Sequence, residues 1–210
     1  MTAIFENYES PWMDDELSIL RDAANRFFST EFVPHKDRWI EQGKVDRDAW
    51  HKAGEAGLLC AEIPTEYGGG GGDYRHETIV TEEQLGAGIS GFGNQVHSQI
   101  VAPYLLHYGN EEQKQKWLPK MATGEMVGAI AMTEPNTGSD LQNVKTSARK
   151  KGDSYVINGV KTYITNGIHA DLVVLVAKTD PNLGAKGISL IMVEANTRGF
   201  NKGSNLKKLG

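Results

Sequence analysis

The hydrophobic pattern of this 210-residue chain changes its period near residue 125. Before that point, apolar residues such as Leu17, Leu20 and Ala24 recur at the spacing of a helix face. After it, short β-prone runs alternate with Gly, Asn, Asp and Pro turn signals. A helical half followed by a strand half predicts an α+β chain, with an all-helical domain over residues 1–125 and a β domain over residues 126–210.

Capping and breaking residues predict where the helices of the first half begin and end. The start signals are Ser10-Pro11, Asp46, Asp73 and the capping-box pair Asn110 and Gln113, and the stop or kink signals are Pro34 and Pro103. Asp73 follows five consecutive glycines, which we expect to form a turn into a helix over about 74–88. The run lacks the G-x-x-x-x-G-K-[ST] pattern of a phosphate loop. A further helix is predicted over 91–108.

The second half contains a series of strand candidates, separated by turn signals. They are 127–132, 146–150, 154–157, 160–165, 172–178 and 188–194. Asn158-Gly159 joins two of them, and Asn-Gly is the strongest short hairpin signal because a type I′ turn needs positive φ at both central residues. We therefore expect an antiparallel sheet in which Asn158-Gly159 is a two-residue turn.

Composition restricts the class of protein. The net charge of −5 provides no basic footprint for nucleic acid. No apolar run reaches membrane-span length, and Met1 is not followed by a signal or transit peptide. We therefore expect a cytoplasmic protein, or a mitochondrial-matrix protein if the sequence is a mature eukaryotic form. The single cysteine, Cys60, excludes an internal disulfide, and its apolar neighbours predict a buried structural thiol rather than a nucleophile.

The six histidines show no metal-ligand spacing, so no metal site is predicted. We interpret them as surface or packed residues. His97 is distinguished from the others because it lies within the polar segment Gln95–Gln99.

The stretch Gly128–Asp140 begins as an apolar run that is typical of a buried strand. It then breaks at Pro135 and Gly138, which favour a tight loop. That loop should present backbone N–H groups and the hydroxyls of Thr133 and Ser139. Loops that carry such donors on a rigid strand are common ligand sites.

A second stretch, Tyr155–Gly167, ends in Tyr163-Ile164-Thr165-Asn166-Gly167. A flat aromatic side chain followed by small donors suits a planar ring that is rich in heteroatoms. Patterning alone leaves a simpler interpretation open, namely two ordinary strands with polar turns.

Together the two stretches resemble the acyl-CoA dehydrogenase family. The matching motifs are Ala131-Met132-Thr133-Glu134-Pro135, Gly138-Ser139-Asp140, Asn158-Gly159, Lys161-Thr162 and Ile164-Thr165-Asn166-Gly167, in the family's order and spacing. Within the family the chain is most similar to the long-chain branch. The segments that carry this likeness are Glu66–Gly69, Gly128–Ala131 and Gly187–Leu190.

The resemblance implies a flavoenzyme. Members of the family bind FAD and oxidise acyl-CoA thioesters to trans-2-enoyl-CoA, with electrons passed to an electron-transfer flavoprotein. The family fold is an N-terminal helical domain, a middle antiparallel β-barrel and a C-terminal helical bundle. The resemblance implies that this chain contains the first domain and most of the second, and that the full-length protein is a homo-oligomer, a tetramer in the family.

The resemblance also implies roles for individual residues. The flavin-lining residues by position are Ile130, Ala131, Met132, Thr133, Gly138, Ser139, Tyr163, Ile164 and Thr165. Ser139 should also lie near the bound acyl-CoA rather than act as a hydrolase nucleophile, since no G-x-S-x-G surrounds it. Lys186 is a second substrate-binding candidate, and a merely solvated lysine is an equal alternative.

No catalytic residue is assigned. The family's catalytic glutamate lies in its C-terminal bundle, and neither Glu134 nor Glu194 matches its position. We therefore expect a fragment or truncated chain that is inactive alone and holds FAD weakly. Two other functions stay open at this point: an acyl-CoA oxidase, which passes electrons to oxygen, and a non-enzymatic acyl-CoA-binding module.

Overall fold

The computed structural model describes residues 10–206. Residues 1–9, on which the localisation prediction rests, and residues 207–210 lie outside this range. The α-helices are α1 (Asp15–Phe27), α2 (Lys36–Gln42), α3 (Arg47–Glu55), α4 (Tyr74–Gly86), α5 (Asn94–Val96), α6 (Ala102–Tyr108) and α7 (Glu111–Ala122). The strands are β1 (Gly128–Ala131), β2 (Ser147–Lys151), β3 (Ser154–Asn158), β4 (Leu172–Lys178) and β5 (Ile188–Glu194). A helical half is thus followed by a sheet, as predicted.

Two of the predicted helix caps are confirmed. The side chain of Asp73 accepts from Arg75 N at 2.8 Å at the start of α4. Asn110 and Gln113 form the predicted capping box of α7, with reciprocal bonds of 2.9 and 3.0 Å. In both cases, residues within a single turn satisfy the free N–H groups of the helix, so the local sequence decides the boundary.

Of the two other predicted starts, one is corrected, and the other is confirmed in position but lacks the expected capping bond. The first helix begins at Asp15 rather than at Ser10-Pro11, and its cap is Asp14, which accepts from Leu17 N at 2.9 Å. Asp46 occupies the N-cap position of α3, but its carboxylate makes no bond to that helix. It pairs with Arg38 instead, and this guanidinium holds the pKa of the carboxyl well below its usual range.

The two predicted proline breaks mark irregular winding. Pro34 lies in a 3-10 turn, Val33–His35, which follows a π-helical segment at Phe28–Phe32. Pro103 lies in the first turn of α6, directly after a second π-helical segment, His97–Val101. The predicted helix over 91–108 is therefore divided into α5, this π segment and α6. The π segment turns His97 toward β1, which it contacts.

The sheet is mixed and is not closed, so the predicted antiparallel barrel is not confirmed. Strand β5 pairs with β4 antiparallel over the whole of Leu172–Lys178. Strand β1 runs parallel to β4 from Leu172 to Leu175, and β2 meets β4 in parallel at Lys178. Because β5 fills one edge of β4, β1 and β2 follow one another along the other edge. Residues 132–146 connect them there.

The predicted hairpin turn at Asn158-Gly159 is wrong. The β2–β3 hairpin turns instead at Gly152-Asp153, where Gly152 has φ of 62°. Neither Asn158 nor Gly159 has the positive φ that a type I′ turn requires. The predicted strand over 160–165 is absent, because this segment folds as a loop against residues 132–134.

The two halves share a core. One cluster joins α6 and α7 to the sheet, with Leu105 and Leu118 packed in the same cluster as Leu172 and Val174 of β4. A smaller cluster on the other face contains Ala129, Ala131, Ala170 and Val173. An aromatic core of the helical half includes Trp50, Phe28, Phe32 and Phe92. Within residues 10–206, the structure contains no helix that is long and apolar enough to cross a membrane.

Candidate functional site

The two stretches that the sequence singled out lie side by side. The Thr162 N–H donates to the Thr133 carbonyl at 2.9 Å. Lys161 Nζ donates to the Met132 carbonyl at 2.9 Å and to Glu134 Oε1 at 3.0 Å. The end of β1 is therefore fixed directly against the segment that carries Tyr163.

Glu134 anchors this junction. It is buried, and its two carboxylate oxygens accept from Lys145 N at 2.6 Å and from Thr146 N at 2.8 Å in addition to Lys161. Burial, the largest influence, raises the pKa of this carboxyl, but hydrogen bonds from Thr146, Lys145 and Lys161 together outweigh it and lower the pKa to about 2. A carboxylate held in this way organises the loop, and its lowered pKa makes it a weak base for proton abstraction.

The segment 163–165 alternates between outward and inward side chains. Tyr163 is 69% exposed and has φ of 57°, which is unusual for a residue other than glycine. Ile164 is half-buried against the cluster that contains Ala129 and Ala131, and Thr165 is exposed. The loop is thus pinned by Ile164 while the ring of Tyr163 and the hydroxyl of Thr165 face outward.

The other predicted residues occupy different environments. Ile130 is half-buried and packs on the helix-facing side of the sheet, whereas Ala131 is buried on the opposite side. Met132 and Thr133 are half-buried, and Gly138 and Ser139 are exposed in the loop beyond them. The structure therefore brings Thr133 together with the Tyr163–Thr165 segment and leaves Ile130 facing the helices.

Lys186 is exposed in a 3-10 turn, Gly184–Gly187, between β4 and β5. This turn contacts a second 3-10 turn, Leu141–Asn143, which directly follows the Ser139 loop. The two residues predicted to bind substrate therefore belong to neighbouring loops.

Sequence reasoning assigned no role to Asn166. Its backbone has φ of 64°, and its side-chain Nδ2 donates to the Gly93 carbonyl at 2.8 Å and to the Gly128 carbonyl at 3.1 Å. The Ile164–Gly167 motif contained this residue, but its partners lie far away along the chain and gave no local signal.

His97 is fully buried and serves as a structural link. The Gly128 N–H donates to its Nδ1 at 2.9 Å, so Nε2 carries the proton and donates to the Met121 carbonyl at 3.1 Å. Burial lowers the pKa of His97 to about 4, and the ring is therefore neutral at physiological pH. The neighbouring thiol of Cys60 is also buried, as predicted, and burial raises its pKa.

Two other features of residues 10–206 bear on where a ligand could bind, namely metal-ligand clusters and a surface cavity. No group of three or more His, Cys, Asp or Glu residues in this range is arranged to hold a metal ion. A cavity of about 370 Å³ is lined by Lys44, Val45, Asp46, Arg47, Ile168, His169, Asp171 and Lys202. None of the predicted flavin- or substrate-binding residues lines it.

Known proteins provide the context for this geometry. Residues 14–125 match the family described as acyl-CoA dehydrogenase, N-terminal domain, and residues 129–210 match acyl-CoA dehydrogenase, middle domain. The chain belongs to the acyl-CoA dehydrogenase family. The family that the motifs indicated is thereby confirmed.

A curated relative supports the likeness to the long-chain branch. The mitochondrial long-chain specific acyl-CoA dehydrogenase of Mus musculus is 45% identical over 197 residues, which are 93% of this chain and 46% of the relative. The chain thus spans about half the length of the curated relatives that it matches.

Two solved structures have the same fold. The acyl-CoA dehydrogenase of Geobacillus kaustophilus is 47% identical with a TM-score of 0.88, covering 91% of this chain and 51% of that one. The acyl-CoA dehydrogenase of Bacillus anthracis, complexed with FAD, is 34% identical with a TM-score of 0.82, covering 91% of this chain and 33% of that one.

Proposed function

We propose that the protein containing this chain binds FAD and oxidises medium- or long-chain acyl-CoA thioesters to trans-2-enoyl-CoA. Its electrons would pass to an electron-transfer flavoprotein. The observation that carries the proposal is the bond from Thr162 N–H to the Thr133 carbonyl, which joins both family signatures into one surface. In the same proposal, residues 1–125 are the helical domain and residues 126–210 the β domain, in line with the two family matches.

The residues at this junction fit a flavin ring. Tyr163 offers an exposed flat face, and Thr165 is exposed two residues further along the chain. Thr133 is half-buried on the adjoining loop, where its carbonyl accepts from the Thr162 N–H. When bound, FAD supplies the acceptor for the hydride that leaves the substrate β-carbon. Fixed donors at the ring edge stabilise developing negative charge without reorganisation.

We assign the proposed contacts by environment. The outward-facing set consists of the exposed residues Gly138, Ser139, Tyr163 and Thr165 together with the half-buried Thr133, whose hydroxyl we propose to face the flavin. The supporting set consists of Ile130, Ala131, Met132 and Ile164. Members of the supporting set are buried or half-buried, so their role is to fix the backbone from which the outward-facing groups project. Backbone N–H groups of these residues are further donors to the cofactor.

The acyl-CoA thioester is proposed to lie along the loops of Ser139 and Lys186. Ser139 is exposed beyond the flavin-facing residues, and its loop continues into the turn that contacts the Lys186 turn. A hydroxyl and a lysine ammonium are suitable partners for the polar, phosphate-bearing part of such a substrate. The long-chain preference is supported by the identity to the mouse enzyme.

We assign the abstraction of the α-proton to no carboxylate of this surface. Glu134 is committed to Lys161 and to two backbone N–H groups. Glu194 accepts from Trp117 Nε1 at 2.8 Å and pairs with Lys116 at 2.8 Å, which lowers its pKa. Both carboxylates are stabilised as ions and make weak bases.

The test uses the full-length protein that the gene encodes. We expect a yellow protein with FAD at one equivalent per chain, bleached by a long-chain acyl-CoA and reoxidised by electron-transfer flavoprotein. Bleaching by the acyl-CoA followed by rapid reoxidation in air with formation of hydrogen peroxide would favour an oxidase. Acyl-CoA binding without any flavin would contradict the proposal and favour a binding module.

A further inference from the structure

The side chain of Asn166 joins three separate parts of the chain. Its Nδ2 donates to Gly93, which directly precedes α5, and to Gly128, the first residue of β1. Both amide hydrogens therefore have an acceptor. The backbone carbonyl of Asn166 also accepts from His169 N and Ala170 N, each at 2.8 Å, so the residue organises its own turn as well.

The Gly93 end of this link is rigid. A Cβ added at Gly93 would overlap Asn166 Oδ1, so the approach is possible only with glycine there. The next residue, Asn94, is buried, donates to the Leu58 carbonyl at 3.2 Å and accepts from Ser98 Oγ at 2.7 Å. Asn166 is thus attached to the interior of the helical half and not to a surface loop.

The Gly128 end is held from two sides. Its N–H donates to His97 Nδ1 and its carbonyl accepts from Asn166 Nδ2. His97 begins the π segment that follows α5, so both partners of Gly128 are tied to the chain between Gly93 and His97. Strand β1, which ends two residues before Thr133, is therefore oriented by the same side chain that follows directly on the Tyr163–Thr165 turn.

We propose that Asn166 is a positioning residue, which sets the placement of the Tyr163–Thr165 segment relative to Thr133 and thereby shapes the flavin site. The hydrogen bonds of Asn166 are given by the structure, whereas their effect on flavin binding rests on the proposed function. An amide is required because two carbonyls need two donors from one side chain, and asparagine tolerates the left-handed backbone better than most other residues.

Two substitutions separate the amide from the backbone conformation. Asn166→Gly keeps the positive φ and removes both donors. Asn166→Asp keeps the shape but places a carboxylate against two carbonyl oxygens. Asn182→Asp is the matched control, because Asn182 is exposed in the turn between β4 and β5. The full-length protein is used for every measurement.

Hydrogen–deuterium exchange of residues 162–170 reports the segment directly, and the FAD dissociation constant and reduction potential report the site. Loss of two hydrogen bonds should speed exchange there by about tenfold or more and weaken FAD binding by about tenfold in both Asn166 variants. Exchange in α1 should stay unchanged, which shows that the effect is local. The flavin potential should shift, which a purely structural role elsewhere would not produce.

The inference would be overturned if the Asn166→Gly variant matched the wild type in hydrogen exchange and in flavin binding. The positive φ at position 166 would then be sufficient to place the segment without the amide. Faster exchange with unchanged FAD affinity and potential would also overturn it. Absence of FAD from the wild-type protein would overturn the proposed function, and exchange would still decide whether Asn166 fixes the segment.

Discussion

Lys161 and Glu134 form a buried ion pair between the two halves of the candidate site, with Nζ 3.0 Å from Oε1 and side-chain exposures of 9% and 5%. Burying two charges is unfavourable unless every lone pair and proton finds a partner. Here the carboxylate also receives two backbone N–H groups, and the ammonium also donates to the Met132 carbonyl. The pair thereby holds the Tyr163 segment against the end of β1.

Lys161→Met should strongly destabilise the chain, because it leaves the Glu134 charge buried without its counter-ion. Removal of one partner of a buried pair typically costs about 3–5 kcal/mol. Urea denaturation of the 210-residue chain measures the change. Lys145→Met is the matched control, since the Lys145 side chain is exposed, and it should change stability by less than about 0.5 kcal/mol. Equal effects of the two substitutions would show that the ion pair does not stabilise the fold.

Acid should remove the contribution of Glu134 to the free energy of unfolding. Its pKa is lowered to about 2 from a usual value of 4.5, so the native state favours the ionised form. The stability from this group is complete above pH 4.5 and is lost as the pH falls toward 2, amounting to on the order of 3 kcal/mol. Glu134→Gln should therefore show a flatter decline of unfolding free energy between pH 4.5 and 2.5 than the wild type.

The control for that experiment is Glu41→Gln, because Glu41 is exposed at the end of α2. Its decline should follow the wild-type curve. A Glu134→Gln curve that is parallel to both would refute the lowered pKa.

The sequence predicted those features that depend on neighbouring residues. The capping box of Asn110 and Gln113 and the cap at Asp73 are confirmed, because each operates within a single helical turn. The strand predicted over 160–165 failed for the opposite reason. Lys161 is drawn to a carboxylate 27 positions earlier, and that contact overrides the β propensity of the segment.

In the candidate site, too, local motifs predicted individual residues but not the long-range contacts between them. Thr133, Tyr163 and Thr165 could be selected from motifs, but the bond from Thr162 to Thr133 that unites them is visible only in the structure. His97 meets Gly128 across 31 positions, and Asn166 meets Gly93 across 73. Such pairings depend on how the two halves pack, which no local pattern encodes.

Glu77 should make stability fall as the pH rises. It is fully buried on α4, and its Oε2 has no hydrogen-bond partner within residues 10–206. Burial raises the pKa of this carboxyl to about 7, so between pH 4.5 and 7 the native state binds more protons than the unfolded chain. The associated stability is complete below pH 4.5 and is lost as the pH rises through 7, up to about 3 kcal/mol.

Glu77→Gln should consequently be more stable than the wild type at pH 8 and nearly equal to it at pH 5, as measured by urea denaturation at both values. The exposed control Glu41→Gln should show no such difference between the two pH values. A Glu77→Gln variant that is less stable at pH 8 than at pH 5, to the same degree as the wild type, would contradict the assignment.

Thr165→Val should weaken the hold of the full-length protein on FAD with little effect on folding. The substitution keeps the branched shape and removes an exposed hydroxyl beside Tyr163, so no buried packing is lost. One neutral hydrogen bond contributes about 0.5–1.5 kcal/mol, which corresponds to a roughly 2- to 13-fold rise in the FAD dissociation constant. The flavin reduction potential should fall, because a donor that stabilises the reduced ring is removed.

Thr133→Val should change the FAD dissociation constant and the reduction potential in the same direction. Thr197→Val is the control, because Thr197 is exposed in the turn after β5, and it should leave both quantities unchanged. If all three variants retain the wild-type affinity, potential and flavin spectrum, neither Thr133 nor Thr165 donates to the cofactor through its hydroxyl.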